Sequence, residues 1–244
     1  MNIQLVTAIL KHFFISLKLN IFNFLGSNLS DLFIIAGTPK HKKAYDAFCG
    51  LVDKKKINNI LEIGIGGHDD PFEGGRSLLA LKNYFKRALV IGADISKKNN
   101  YLFNRIQLKL LDQSKNDNVK YFGKKYGKFD LIIDDGSHFC KHQINSFNNL
   151  FQFLDDGGFY IIEDTNNSYK NAGGGSTNLK SSKSTVNYFK DKVHAINSVF
   201  LIKSERRKLK KFLDISFILF FPGIIIIQKK KDKKKPKSDK YLKF

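Results

Sequence analysis

Between residues 57 and 164 short apolar runs alternate with amphipathic stretches. INNILEIGI (57–65) is an apolar run that stops at glycines, the pattern of a buried strand. GGRSLLALKNYFKR (74–87) puts Leu78, Leu81 and Phe85 on one face and predicts a helix. ALVIGADI (88–95) reads as a strand and RIQLKLL (105–111) as a weaker one. KFDLIIDD (128–135) is a strand, KHQINSFNNLFQFL (141–154) a helix and GGFYIIED (157–164) a strand. Strands separated by helical patterns predict an α/β domain with a parallel sheet and helices on both faces. FLDISFILFFPGIIIIQKK (212–230) differs. Its two apolar runs meet at Pro222-Gly223, a turn signal, and predict an antiparallel hairpin that closes the sheet.

The flanks are of other kinds. Ile3, Val6, Leu10, Phe14, Leu17, Ile21 and Phe24 recur at three- and four-residue spacing, which predicts an amphipathic helix in segment 1–35. That face would pack on its own domain or a second subunit, or lie at a membrane interface. Lys11, His12 and Lys18 interrupt it, so no run reaches the ~18 uncharged apolar residues of a spanning helix. A signal peptide is not expected, since a basic leader and small-residue cleavage site are missing. TNNSYKNAGGGSTNLKSSKST (165–185) is almost free of large apolar residues, and a loop of that length reads as a lid or a disordered segment.

A chain of 244 residues with 42% apolar content supports one domain with a full core, at 36–230. The net charge of +20 is concentrated. Residues 229–243 carry +7 and residues 203–211 carry +5. The bland reading is a solvated tail, 231–244, and one basic loop. The functional one is contact with an anionic membrane surface. Nucleic acid is a poorer partner, because no aromatic residues interleave the tail lysines. Cys49 and Cys140 form no ligand spacing, and a reducing cytoplasm fits them.

Ligands of open parallel sheets bind beyond the carboxyl ends of the strands. Here those ends carry Glu62, Asp94, Asp112 with Gln113, Asp134 with Asp135, and Glu163 with Asp164. Any one acid at such an end is also an ordinary cap or turn residue; five together on one rim are harder to explain that way. Gly64, Gly66 and Gly67 in LEIGIGG let a ligand approach the backbone. The dinucleotide fingerprint fits poorly: Asp69 stands where its third glycine belongs, and HDDPFEGG delays the helix that a pyrophosphate needs. A nucleoside ligand without pyrophosphate, its ribose held by Asp94, fits better.

With ILEIGIGG, IGADIS, LDQS, DLIIDDGSH and GGFYIIEDTNNSY on the page, and AGTPKHKKAYDAF before them, the chain resembles class I S-adenosylmethionine-dependent methyltransferases. More narrowly it is similar to the metal-dependent sugar O-methyltransferases of macrolides and related glycosides, a group that includes cephalosporin-hydroxylase-like proteins. The resemblance spans about residues 36–230 and implies a Rossmann-like methyltransferase fold with a seven-stranded sheet. It implies Mg²⁺ or another divalent cation on Asp135, Glu163 and Asp164, and His138 as general base. It implies donor contacts at Thr38, Glu62, Gly64, Gly66, Ser77, Asp94, Asp112, Gln113 and Asp134. The acceptor it implies is a sugar: a small glycoside, a polysaccharide or a lipid-linked sugar. The residue types suit that chemistry, because magnesium takes hard oxygen ligands and keeps open positions. One departure stands out. Pro39 occupies the place of an aspartate in the family's Gly-Thr-Asp-Lys, removing a carboxylate and a backbone donor.

His142, four residues after His138, reads as a helix-surface residue, since Phe139 replaces the glutamate of a zinc H-E-x-x-H motif. Homo-oligomerisation is compatible with the pattern. The competing reading is a non-catalytic relative that binds anionic lipid or nucleic acid through its basic tail.

Overall fold

In the computed structural model, which describes residues 3–99, 104–212 and 214–231, the alternating runs become one sheet. Its strands are β1 (Asn59–Ile63), β2 (Leu89–Asp94), β3 (Ile106–Leu110), β4 (Phe129–Asp134), β5 (Leu154–Ile162), β6 (Ile215–Phe221) and β7 (Ile224–Lys229). They lie in the order β3-β2-β1-β4-β5-β7-β6. The first five pair in parallel, and β7 runs antiparallel to both β5 and β6. This is the Rossmann-like methyltransferase fold. The hairpin turns at Pro222-Gly223, where Gly223 takes φ +78°.

Register places the chemistry. Ile63 is flanked by Ala93 on β2 and Asp134 on β4, and Asp134 by Ile162 on β5. The residues just past those positions therefore emerge on one rim. The chain order reverses between β1 and β4, the place where such sheets open a crevice.

Strand residues alternate between two cores. Ile60, Val90, Leu131, Ile133, Phe159 and Ile161 face α2 (Leu29–Ile35), α3 (Lys42–Leu51) and α4 (Arg76–Tyr84). Leu61, Ile91, Ile132, Tyr160 and Ile162 face α5 (Asn116–Tyr126), α6 (Cys140–Leu150) and α7 (Thr185–Lys190). Period-two alternation with both faces apolar explains the near-continuous hydrophobic runs. The α5 helix carried no sequence signal of comparable strength. It buries Val119, Phe122 and Gly123 alone, in a segment otherwise of Asn, Asp, Lys and Tyr.

Two expectations need correction. Helix α1 (Ile3–Phe24) forms, but it packs on the domain through Ala8, His12 and Leu19. The stripe read as facing its own domain, a second subunit or a membrane interface does not make that contact; Leu10, Phe14, Leu17 and Ile21 are each about half exposed. By length and composition α1 is apolar enough to cross a membrane, despite its two lysines. Segment 165–185 is not a free lid either. It folds into 3₁₀ turns at Thr165–Tyr169 and Asn171–Gly173 and buries Thr165, Ser168 and Gly173. The Thr165 amide donates to the Gly223 carbonyl at 2.9 Å, and Thr185 Oγ1 to Gln143 Oε1 at 2.7 Å. The basic tail expected over 231–244 lies, apart from Lys231, outside the described residues.

Phe48 on α3 meets the rings of Tyr45, Phe85 and Phe159 edge-on, joining the helix layer to β5. Truncating such a fully buried ring costs about 3–5 kcal/mol. Phe48→Ala is therefore expected to lower stability by that amount, measurable as a reduced midpoint in urea unfolding.

Candidate active site at the carboxyl ends of the strands

A cavity of about 700 Å³ opens at the switch point between β1 and β4. Its lining contains Thr38, Gly64, Gly66, Ser77, Asp94, Asp112 and Gln113, all expected as donor contacts, and also Asp135 and His138. The glycine turn forms its floor. Gly64 takes φ +80°, and a side chain there would collide with the Asp135 backbone, so β1 and β4 approach closely only because it is glycine. Gly66, at φ +72°, has open space where a Cβ would stand. Helix α4 starts only at Arg76, as the delayed helix predicted.

Asp94 ties this turn to β2. Its Oδ2 accepts from the Ile65 amide at 3.0 Å and its Oδ1 from the Ser96 amide at 2.9 Å. Each carboxylate oxygen retains acceptor capacity for a ligand hydroxyl. Across the cavity, Gln113 Oε1 accepts from the Ser137 amide at 3.0 Å, while its Nε2 donates to Asp134 Oδ1 at 2.5 Å. His142, on the surface of α6 as expected, reaches this wall too. It lines the cavity, with Nδ1 2.8 Å from Ser137 Oγ, and partial burial holds its pKa down.

Two expected donor contacts stand behind the wall. Glu62 and Asp134 are fully buried and do not line the cavity. Ser77 Oγ donates to Glu62 Oε2 at 2.8 Å, and Gln113 bridges Asp134 to the lining. Burial raises the pKa of Glu62 to about 7, with Lys40 opposing the rise. Burial also raises Asp134 to about 7, opposed by the Gln113 hydrogen bond.

The expected metal trio is divided. Asp135, His138 and Asp164 bring one ligand atom each within 4.8 Å of one another. His138 Nε2 lies 3.7 Å from Asp164 Oδ2, and His41 Nε2 lies 3.5 Å from Asp164 Oδ1. His138 and Asp164 both adopt left-handed backbone, φ +59° and +51°, a strain that folds sustain mainly at functional sites. The Asn167 side-chain Nδ2 donates to the His138 carbonyl at 3.1 Å and braces that turn. Glu163 instead turns inward, accepting from Tyr45 Oη at 2.7 Å and from Lys40 Nζ at 2.7 Å.

Lys40 is the residue sequence reasoning missed. Its ammonium is almost wholly buried and lies 2.7 Å from Asp135, 2.7 Å from Glu163 and 3.2 Å from Glu62. Burial pulls its pKa down, but the Glu163, Glu62 and Asp135 charges outweigh that and hold it well above the ordinary value. The lysine sits directly after the anomalous Pro39, in the AGTPKHKKAYDAF stretch that carried the resemblance, and Thr38 still lines the cavity. That stretch was the available signal.

One ammonium facing three carboxylates leaves up to two negative charges uncompensated, with Asp164 adjacent. This set of carboxylate oxygens, short of two positive charges, fits a divalent cation, with the His138 imidazole beside it.

No protein-family model matches the chain. The curated 8-demethyl-8-alpha-L-rhamnosyl tetracenomycin-C 2'-O-methyltransferase of Streptomyces olivaceus is 42% identical over 110 residues, 45% of this chain and 29% of that protein. L-olivosyl-oleandolide 3-O-methyltransferase of Streptomyces antibioticus is 40% identical over 127 residues, 52% of this chain and 33% of that protein. The chain thus spans about a third of the length of these curated relatives. Among solved structures, MycE methyltransferase from the mycinamycin biosynthetic pathway, in complex with Mg and SAH, superimposes with a TM-score of 0.77 at 29% identity. The match covers 85% of this chain and 56% of that one. The same enzyme with Mg, SAH and mycinamycin VI gives 0.76 at 30% identity, over 85% and 55%.

Replacing one partner of a buried ion pair typically costs about 3–5 kcal/mol. Lys40→Met should show such a loss in denaturant unfolding at pH 8, and a smaller one at pH 5, where the orphaned carboxylates take up protons. For Asp134 the folded pKa of about 7 exceeds the unfolded one, so stability declines as pH rises from about 4 towards 7. Asp134→Asn removes this decline. It should equal or exceed the parent in stability at pH 8 and lose that advantage at pH 5, by the same measurement.

Proposed function

We propose that this chain transfers the methyl group of S-adenosylmethionine to a hydroxyl of a sugar or glycoside, in a reaction that needs Mg²⁺ or a similar divalent cation. The observation that carries the reading is the continuity of one cavity. The same space that Gly66, Asp94 and Gln113 line is bounded by Asp135 and His138. A donor seated on the glycine turn would have its reactive end beside the acid–imidazole group. The sugar O-methyltransferase relatives extend the reading to the acceptor, since the sugars in their names are rhamnosyl and olivosyl units on larger scaffolds.

Asp94 takes the ribose hydroxyls on its remaining acceptor positions, Asp112 and Gln113 bound the adenine side, and Glu62 and Asp134 support the wall from behind. Asp135 and Asp164 would hold the cation, and Glu163, turned inward onto Lys40 and Tyr45, would add its charge from behind. When bound, the sulfonium donor supplies an electrophilic methyl carbon and the cation acidifies a neighbouring sugar hydroxyl. His138 accepts the hydroxyl proton at Nε2. Its Nδ1 is buried and has no hydrogen-bond partner among the described residues, which leaves Nε2 as the exchangeable nitrogen. Asp164, 3.7 Å away, stabilises the imidazolium that forms. Orientation of acceptor oxygen against methyl carbon supplies much of the remaining acceleration. The wall of 3₁₀ turns after β5 is well placed to shape acceptor choice.

We place the activity in the cytoplasm, with peripheral membrane contact taken up below.

The test is methyl transfer from labelled donor to rhamnosyl or olivosyl glycosides, followed by mass spectrometry. Removing the divalent cation with a chelator should abolish transfer and re-addition restore it. His138→Gln should lower kcat by roughly 10²–10⁴ while calorimetric donor affinity stays within about twofold. Full activity in that variant would remove His138 from the proton transfer. Unchanged turnover in chelator would remove the cation.

A further inference from the structure

Helix α1 has two apolar faces, and the domain covers one. Ala8, His12 and Leu19 point inward, and Ile15 packs on the core shared with α4. The His12 ring nitrogens lie 2.8 Å from the Ala8 carbonyl and 3.0 Å from the Gly74 carbonyl, and Lys11 pairs with Glu73. Glu73 and Gly74 line the donor cavity, so α1 is fastened side-on to its rim.

The other face is open. Leu10, Phe13, Phe14, Leu17 and Ile21 are 48–57% exposed, and Phe24 is 91% exposed. At 3.6 residues per turn they form an outward apolar arc of about 100°. An aromatic-rich arc of that breadth on a single helix marks an interaction surface.

Charge selects the occupant. At one border of the arc stand Lys11, already paired with Glu73, and the exposed Lys18; no acidic residue occurs from Ile3 to Phe24, within a chain of net charge +20. Two copies joined through this face would set Lys18 of each against a helix with no acidic residue. Lipid phosphates supply the missing negative charge, and apolar side chains with a basic border suit the boundary between headgroups and acyl chains. Spanning the bilayer would require α1 to abandon Leu19, His12 and the Glu73 pair, whereas lying in the interface plane keeps them all.

We infer that the outward face of α1 seats this domain on an anionic membrane surface, with the helix in the plane of the interface. The surface is distinct from the lysine-rich tail and goes beyond the methyl-transfer reading. It brings the Glu73–Gly74 rim of the donor cavity close to the lipid.

The test is flotation of the full chain with vesicles of phosphatidylglycerol and phosphatidylcholine in equal parts, against phosphatidylcholine alone. Binding to the anionic vesicles is expected to be at least about tenfold stronger, and L10N/F14N/L17N should lower it by about tenfold or more. Donor affinity should be unchanged, which separates this result from failure of the active-site reading. Because the chain has no tryptophan, Phe14→Trp supplies a second readout, a blue-shifted emission on anionic vesicles. Vesicle binding that survives the triple substitution would assign it to the tail and overturn the proposal. So would an unshifted indole emission from the Phe14→Trp protein, or sedimentation showing that the triple substitution dissociates a dimer while neither protein binds vesicles.

Discussion

The buried ammonium of Lys40 is the interaction on which the rest of the site depends. Three strand ends deliver carboxylates into one small volume: Glu62 from β1, Asp135 from β4 and Glu163 from β5. In a low-dielectric interior their mutual repulsion would splay the sheet's rim or keep them protonated. A single cation within 2.7–3.2 Å of all three holds them together. Tyr45, five residues further on in α3, gives Glu163 a further donor. The arrangement is underneutralised, and that shortfall makes room for a divalent cation beside Asp135 and Asp164. The same lysine links the two halves of the proposed chemistry. Glu62 backs the donor side through Ser77, and Asp135 borders the acceptor side.

The acids of the rim thereby divide by depth. Asp94, Asp112 and Asp135 line the cavity, while Glu62 and Asp134 are sealed behind it, with burial raising each to about 7. Adjacent residues in sequence receive opposite surroundings because strand side chains alternate in direction. Asp134 points to Gln113 and the α6 side, and Asp135 to Lys40. The turn after β4 then bends through the left-handed His138, and α6 begins two residues later at Cys140. The 3₁₀ turns after β5 brace it through Asn167. A segment whose composition suggested a free lid is thus a supporting wall, because its polar side chains find partners inside the domain rather than in water.

At the other edge, α1 couples the cavity rim to an apolar exterior. Its periodicity was legible, but the direction was not. Every third and fourth residue of this helix is apolar on more than one stripe, and periodicity alone cannot rank two such faces. His12 decided the matter, since its ring sits between the Ala8 and Gly74 carbonyls and so fixes which side turns inward.

What the sequence determined by itself was whatever rests on local chemistry. The period-two and 3.6-residue patterns marked the strands, the helices α1, α4 and α6 and the closing hairpin. The glycine turn, DDGSH and IIED lie at the strand ends where the cavity and the acid–imidazole group are found. It missed α5, whose two large apolar anchors are too few to rise above a lysine-rich background. What only the tertiary structure decided depends on contacts between residues far apart in the chain. Lys40 reaches Asp135 and Glu163 across 95 and 123 residues, and no local pattern marks a lysine as buried. Lysine is ordinarily a surface residue. Its burial here follows from the convergence of three strand ends, which exists only once the sheet has formed.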